Sequence, residues 1–241
     1  MKREIISFSG LVVCALALAR CAHAPIHQGT GAETLFADAC SPGQANRSVT
    51  GSIWMKATSK EAKGQFPASV NAHSPDSVTL EVTNLIGSRQ ALIRVNHGSY
   101  TIDVPEDQGR RQRQEKGEGS WGGIPLRWAS ELFLGRIPCP SSDSGSFLQM
   151  RANQETGELI VETPVAPNGQ QERFIYKFHQ WAGKPWPESL HWERKGLAST
   201  FVDFKFDDPD DKTGSPKKWE AKSPLGEVKL RWTDFKASPN S

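Results

Sequence analysis

Catalysis and metal binding need particular residue types at particular spacings, and this sequence offers few of them. Four cysteines stand in 241 residues. An oxidising compartment would let Cys40 and Cys139 form one bridge. Two independent thiols are the alternative, because sequence alone does not show that they meet. The six histidines form no His-x-His or H-E-x-x-H pattern, and no Cys-x-x-Cys occurs, so no metal site is expected. Asp207, Asp208, Asp210 and Asp211 crowd around Pro209, without the spacing or glycine of a calcium loop, and read as a solvated turn. "GKPW" at 183–186 lacks the second glycine and the Lys-Ser/Thr pair of a phosphate loop. No serine, histidine or carboxylate falls into a known nucleophile–base–acid pattern. The expectation is a binding protein with no catalytic residue, metal or cofactor. The residues that stand out are two aliphatics. In "SVTLEVTNLIGSRQALIRV", 77–95, two alternating runs flank a turn that holds Leu85 and Ile86 side by side. Such a tip either folds back onto its domain or projects to meet another apolar phase. Gly87 supplies backbone freedom there and Asn84 can brace the turn.

The amino terminus opens with Lys2 and Arg3. A mostly apolar run follows, Ile5 to Ala19, broken by Ser7, Ser9 and Gly10. It is short for a membrane span and reads as a secretory signal. Its end, "LARC" at 18–21, resembles the lipobox of bacterial lipoproteins, a leucine three residues before a cysteine that becomes lipidated. Arg20 departs from the Gly, Ala or Ser of that pattern. A soluble product cleaved after Ala22 or Ala24, or a retained anchor, are the other readings. "LVVC", ending at Cys14, would cut the apolar run in half. The lipobox resemblance implies a signal peptide over 1–20 and a lipidated Cys21. Ala22 after it, where an Asp would retain the protein at the inner membrane, favours the outer membrane.

Formal net charge is +2. The basic run "GRRQRQEKGEG", 109–119, is bounded by glycine and free of aromatics. It reads as a mobile loop, with contact to anionic headgroups as a second option. No nucleic-acid recognition motif is present. Residues 21–47 read as a polar tether holding one short helix at 33–39. From 48 onward the period is two. Inward positions run through Phe66, Ala68, Val70 and Ala72, where Pro67 suggests an edge or a bulge. They continue through Val78, Leu80 and Val82, then Ala91, Ile93 and Val95, then Tyr100, Ile102 and Val104. A candidate strand at 157–163 precedes Phe174, Tyr176 and Phe178; Val202, Phe204 and Phe206; and Val228, Leu230 and Trp232. Short turns between them force antiparallel neighbours. A meander of roughly ten strands without alternating helices excludes a nucleotide-type α/β fold and predicts a large sheet that curls. One helix is predicted over 125–135, with Pro125 at its start, Gly135 at its stop and Leu126, Ala129, Leu132 and Phe133 on one face. It needs an apolar surface to cover, and the concave side of the sheet supplies one. What lies between is either packed core or cavity. Eight tryptophans and eleven phenylalanines suffice to fill it, and alternation alone does not distinguish the two. Candidate cavity residues are Val78, Leu80, Val82, Ile93, Ile102, Phe174 and Phe204 from strands, with Trp128, Leu132 and Phe133 from the helix. Each would serve equally as plain core.

Three stretches carry a family resemblance. "VTNLIGSRQALIRV" (82–95) resembles the strand–loop–strand of the LolB outer-membrane lipoprotein receptors, whose "TNPLGS"-type loop bears a protruding leucine. "GGIPLRWASELFLGRIP" (122–138) resembles their helix segment, and "GEVKLRWTDF" (226–235) their closing strand. The resemblance implies a mainly β fold: an incomplete antiparallel β-barrel of about eleven strands, closed by a few α-helices around a hydrophobic cavity and occupying 48–241. It also implies a receptor that accepts acylated lipoprotein cargo from a LolA-like periplasmic carrier and inserts it into outer-membrane lipid. Such a receptor works as a lipid-anchored monomer on the periplasmic face. By position the protruding leucine falls on Ile86. Leu85 takes the slot usually held by proline, and Gly87 completes the membrane-insertion loop. The segment before the first strand is shorter than the pattern, and 106–119 is more charged. Fold does not fix function. A lipid-binding or sensing envelope lipoprotein without insertion activity is therefore the alternative, and a structural lipoprotein with a filled core is a third.

Overall fold

In the computed structural model, residues 31–59, 63–106, 112–140, 148–153, 156–196 and 199–239 are described. The signal segment 1–20 and Cys21 lie outside them. The alternating runs become strands. β1 (Asn46–Ser59), β2 (Lys63–His73), β3 (Ser77–Thr83), β4 (Arg89–Asn96), β5 (Ser99–Val104) and β6 (Arg113–Glu118) form one meander. β9 (Gln149–Asn153), β10 (Glu158–Glu162), β11 (Gln171–Trp181), β12 (Lys184–Lys195), β13 (Thr200–Pro209), β14 (Pro216–Ser223) and β15 (Gly226–Pro239) form another. Between the two, β7 (Ser120–Trp121) and β8 (Ile124–Pro125) pair with each other. The meanders fuse because β15 returns antiparallel to β1, Gly226 facing Ser59 and Trp232 facing Ile53. The result is one sheet of 13 strands in the order β6-β5-β4-β3-β2-β1-β15-β14-β13-β12-β11-β10-β9.

That sheet corrects the expected barrel. It is mainly β and antiparallel as expected, but it does not close, and it has 13 strands instead of about eleven. Five of the 13, β1, β6, β9, β12 and β14, are not among the alternating runs picked out in the sequence, and two of these, β6 and β9, are the edges of the sheet. β6 is drawn from the charged run read as a mobile loop, and β9 has the sequence QMRAN. An edge strand is solvated along one side and tolerates charge there, so β6 shows no apolar alternation, while β9 alternates over only five residues, Met150 and Ala152 against Gln149, Arg151 and Asn153. Tyr100 lies over Gly117, where an added Cβ would sit 2.4 Å from the ring. β2 is an internal strand, contrary to the edge suggested by Pro67. Its ladder with β3 ends at Ala68–Val82, so the proline falls just where β2 has lost that neighbour.

Residues 32–47, expected in the tether, belong to the folded domain. α1 (Ala32–Cys40) buries Leu35 and Ala39, and Cys40 is bridged to Cys139 with Cα atoms 6.1 Å apart. The helix expected over 125–135 is shorter. Ile124 and Pro125 are held in β8, Leu126–Trp128 form a single 3-10 turn, and α2 spans Ala129–Phe133. Gly135 ends it at φ +74, where a Cβ would press 2.5 Å from Ser215. Just beyond α2, the buried Asn46 side chain donates to Leu134 O at 2.9 Å and to Ser215 Oγ at 3.1 Å. Arg136 donates to Asn46 O at 2.8 Å. These bonds seat the C-terminal end of the covering segment on the start of β1.

The bridge closes a loop of 99 residues, and such a cross-link restricts the unfolded chain. Replacing Cys40 and Cys139 together with serine should lower stability by about 2–4 kcal/mol, read as a lower denaturant midpoint with a steeper slope, because the freed unfolded chain exposes more surface. An unshifted midpoint would mean that the cross-link restrains nothing.

Candidate functional site

Every hairpin between β1 and β2, β3 and β4, or β14 and β15 turns at the same end of the sheet, as the pairing of Ser59 with Gly226 and of Thr58 with Lys63 requires. At that end the β3–β4 tip projects. Leu85 is 83% exposed and Ile86 86%. The turn beneath them is braced from inside. Asn84 Oδ1 accepts from Ile86 N at 3.1 Å and from Ser88 N at 2.8 Å. Asn84 N donates to Ser88 O at 2.9 Å and Gly87 N to Asn84 O at 3.0 Å, with Gly87 at φ +84. Of the two readings of this tip, folded back or projecting, the geometry is the projecting one.

Beneath Leu126 and α2, against the inner face of β1 to β5, lies a hollow of about 310 Å³. Leu80, Val82, Ile93, Ile102, Leu132 and Phe133 line it, as do residues that pattern reasoning did not single out for this role: Met55, Phe66, Ala91, Val95, Tyr100, Val104, Trp121 and Ile124. Its wall reaches the hairpin end. Val104 and Arg113 are the last facing pair of β5 and β6, both line the hollow, and the Arg113 side chain is 73% exposed. The wall of the hollow therefore reaches the rim that carries Leu85 and Ile86. The only charged pair on the wall is Arg113–Glu115, at 3.2 Å. Elsewhere the wall is aliphatic and aromatic.

Val78, Trp128, Phe174 and Phe204 do not line the hollow. All four are buried in packed core. Trp128 stands edge-on to Phe174, Trp192 and Phe204, with centroids 6.2, 4.8 and 5.7 Å away. Arg127 lies 4.7 Å over the Trp128 ring and grips both oxygens of Glu172 at 2.8 and 2.9 Å. Tyr176 donates to Pro138 O at 2.9 Å. The covering segment is thus fastened to β11 and β12, and the space under its other side stays open. A signal for this division is present in the sequence. Inward residues of β2 to β4 are mostly Ala, Val, Ile and Leu, whereas those of β11 to β13 are mostly Phe, Tyr and Trp.

Glu131 of α2 is the one strongly perturbed carboxyl among the described residues. Burial pushes its pKa up to about 7, against the pull of Arg136 and Arg127, while Asp76 adds to the rise. Its Oε2 has no hydrogen-bond partner. The acidic turn at 207–211 is engaged by its neighbours: Asp210 Oδ1 accepts from Lys212 N, Thr213 N and Thr213 Oγ1, each at 3.1 Å, while Asp207 and Asp208 pair with Lys218 at 2.7 Å and Lys217 at 3.7 Å. Among the described residues no cluster of His, Cys, Asp and Glu is arranged to hold a metal, and no helix is long and apolar enough to cross a membrane.

No protein-family model matches the chain, and no curated protein matches it in sequence. Solved structures do. A LolA superfamily protein from Nitrosomonas europaea aligns over 88% of this chain and 96% of its own, at TM-score 0.49 and 10% identity. A domain described as an outer-membrane lipoprotein-sorting protein, from Vibrio parahaemolyticus, covers 79% and 85% at TM-score 0.43 and 6% identity. The Mycobacterium tuberculosis lipoprotein LppX covers 87% and 95% at TM-score 0.32 and 14% identity. At these values the likeness is one of outline, and the chemistry of the site has to be read from this chain's own side chains.

Two measurements test the site. The folded protein keeps a proton on Glu131 up to about pH 7, whereas the unfolded chain releases it near 4.5. The folded state therefore binds more protons across that window, and stability falls as pH rises through it. The loss is at most about 3 kcal/mol. Glu131→Gln should flatten the profile and raise the melting temperature at pH 8; a pH slope equal to wild type would remove the assignment. Ala91→Trp projects into the hollow. It should weaken binding of a dansylated fatty acid at least about tenfold and leave the melting temperature nearly unchanged. In a packed site the same overfilling would cost about 1–3 kcal/mol, so a large loss of stability would mean that no usable space exists.

Proposed function

We propose that the chain is a LolB-type receptor that takes acylated lipoproteins from a periplasmic carrier and releases them into the outer membrane. The observation that carries this reading is the apolar hollow whose wall reaches the same rim as a braced, projecting pair of aliphatics. A full-length acyl chain left in water costs roughly 12 kcal/mol, at about 0.8 kcal/mol per methylene. Cargo can therefore cross an aqueous compartment only from one dry cavity to the next. Such a transfer makes and breaks no covalent bond. It requires that affinity rise from carrier to receptor to membrane, which accords with a wall without a nucleophile–base pair.

Leu85 and Ile86 would hold the mouth against lipid during release. Burying both is worth about 1.5–3 kcal/mol each, enough to seat the rim and weak enough to let go. Because Asn84 already sets the turn, little backbone entropy is lost on insertion. A lipidated Cys21 would keep the domain on the periplasmic face of its membrane. The hollow of about 310 Å³ lies at the small end of ligand pockets, about 300–1,000 Å³. It suits one hydrocarbon chain in its present form, and this favours the alternative, a lipid-binding or sensing lipoprotein of the same shape, wherever cargo carries several chains.

The double substitution Leu85→Glu, Ile86→Glu separates the two. A receptor so altered should still take an acylated peptide from a LolA-like carrier, yet lose most delivery of it to liposomes. Undiminished delivery would end the role given to the tip. Failure of the wild type to draw cargo from the carrier would leave the sensing reading.

A further inference from the structure

A second hairpin at the rim repeats the construction of the first. Between β14 and β15 the turn Ser223–Pro224–Leu225–Gly226 points Leu225 outward at 62% exposure. Its brace is again a short polar side chain. Ser223 Oγ accepts from Leu225 N at 3.0 Å and from Gly226 N at 3.2 Å, and donates to Gly122 O at 2.6 Å. The last bond ties the tip to the β7–β8 hairpin, whose Trp121 and Ile124 line the hollow. Gly123 packs so closely there that an added Cβ would meet Ser223 Oγ at 2.5 Å and Leu225 Cβ at 3.4 Å. Leu225 is therefore held at the rim.

The two tips are set apart across the sheet. In the strand order β4-β3-β2-β1-β15-β14, four strand spacings separate them, about 19 Å along the sheet at 4.7–4.9 Å per strand. A single tip in a bilayer is a pivot about which the domain can swing. Two tips set apart along the rim determine how the rim, and the hollow beneath it, face the lipid.

The charge around them is of one prevailing sign. Arg89 follows the first tip, Lys222 precedes the second, and Lys63 flanks the β1–β2 turn between them; all three are exposed. None has a carboxylate within ion-pair distance among the described residues. Among the described residues the opposing charges at this end are the exposed Glu106 and Glu227, which faces Lys222 across the β14–β15 ladder and is engaged by Lys229 at 2.7 Å. Each such cation near an anionic leaflet is worth about fivefold in membrane affinity.

We propose that Leu225 is a second membrane-insertion point and that, together with Leu85 and Ile86 and the cations Lys63, Arg89 and Lys222, it docks the cavity mouth flat on an anionic bilayer. The proposal rests on the receptor reading in needing a membrane-facing rim, but its test fails separately. The full chain is made with the photo-crosslinker p-benzoylphenylalanine at position 225, at position 86, or at position 54 on the outer face of the sheet. Each form is incubated with vesicles of phosphatidylethanolamine and radiolabelled phosphatidylglycerol and irradiated. Label should reach the protein from 225 and 86 and stay near background from 54. Label at 86 but not at 225 overturns the second contact and leaves the first. Label at neither position overturns the membrane-facing rim altogether, and with it the role given to Leu85 and Ile86. Diluting the vesicles with phosphatidylcholine, or replacing Lys63, Arg89 and Lys222 together with glutamine, should reduce labelling at both tips at least about tenfold. Undiminished labelling would overturn the electrostatic part.

Discussion

Trp128 wedged among Phe174, Trp192 and Phe204 decides how the inner face of the sheet is used. A sheet this wide must curl, and its concave side must be covered or left wet. Among the described residues, 121–139 and α1 are the cover. By driving one indole into the aromatic half, the chain seats its short covering segment there and leaves the aliphatic half beneath α2 partly empty. Arg127 on Glu172, Tyr176 on Pro138 and the Cys40–Cys139 bridge secure the same side. In the other half a hollow persists beneath Trp121, Leu126, Leu132 and Phe133.

The rim follows from antiparallel topology. A meander places alternate turns at one end, so a few substitutions in turns create a surface of chosen character without touching the core. Here three outward aliphatics sit on turns whose hydrogen bonds are already satisfied internally by Asn84 and Ser223. The exposed apolar area is not a consequence of poor folding, since the same turns could close with polar residues at no loss of those bonds. The charged strand β6 then lets the wall of the hollow end in water at Arg113 and Glu115.

Glu131 shows the cost of building a cover from five helical residues. α2 presents Leu132 and Phe133 inward, and its remaining face is pressed against the fastened side, where a carboxyl is shut away with one oxygen unpaired. Burial favours its neutral form, so the cover is held best at mildly acidic pH.

Much of this was legible in the residues. Period-two alternation marks β2 to β5, β10, β11, β13 and β15, because a strand with one wet face must alternate. The odd placement of Leu85 and Ile86 is visible because turns are otherwise polar. Leu80, Val82, Ile93 and Ile102 were legible as inward residues because strand parity determines the face, and Leu132 and Phe133 because they share a helix face. Parity says which face a residue is on, however, not what stands opposite it. Whether Val78 and Phe174 meet packed neighbours while Leu80 and Ile93 meet space depends on where Trp128 lands, and that is set by contacts across the whole chain. The edge strands β6 and β9, the merging of α1 into the domain and the meeting of Leu225 with Gly123 likewise join residues far apart in sequence. No local pattern encodes them, because their free energy exists only once the sheet has curled.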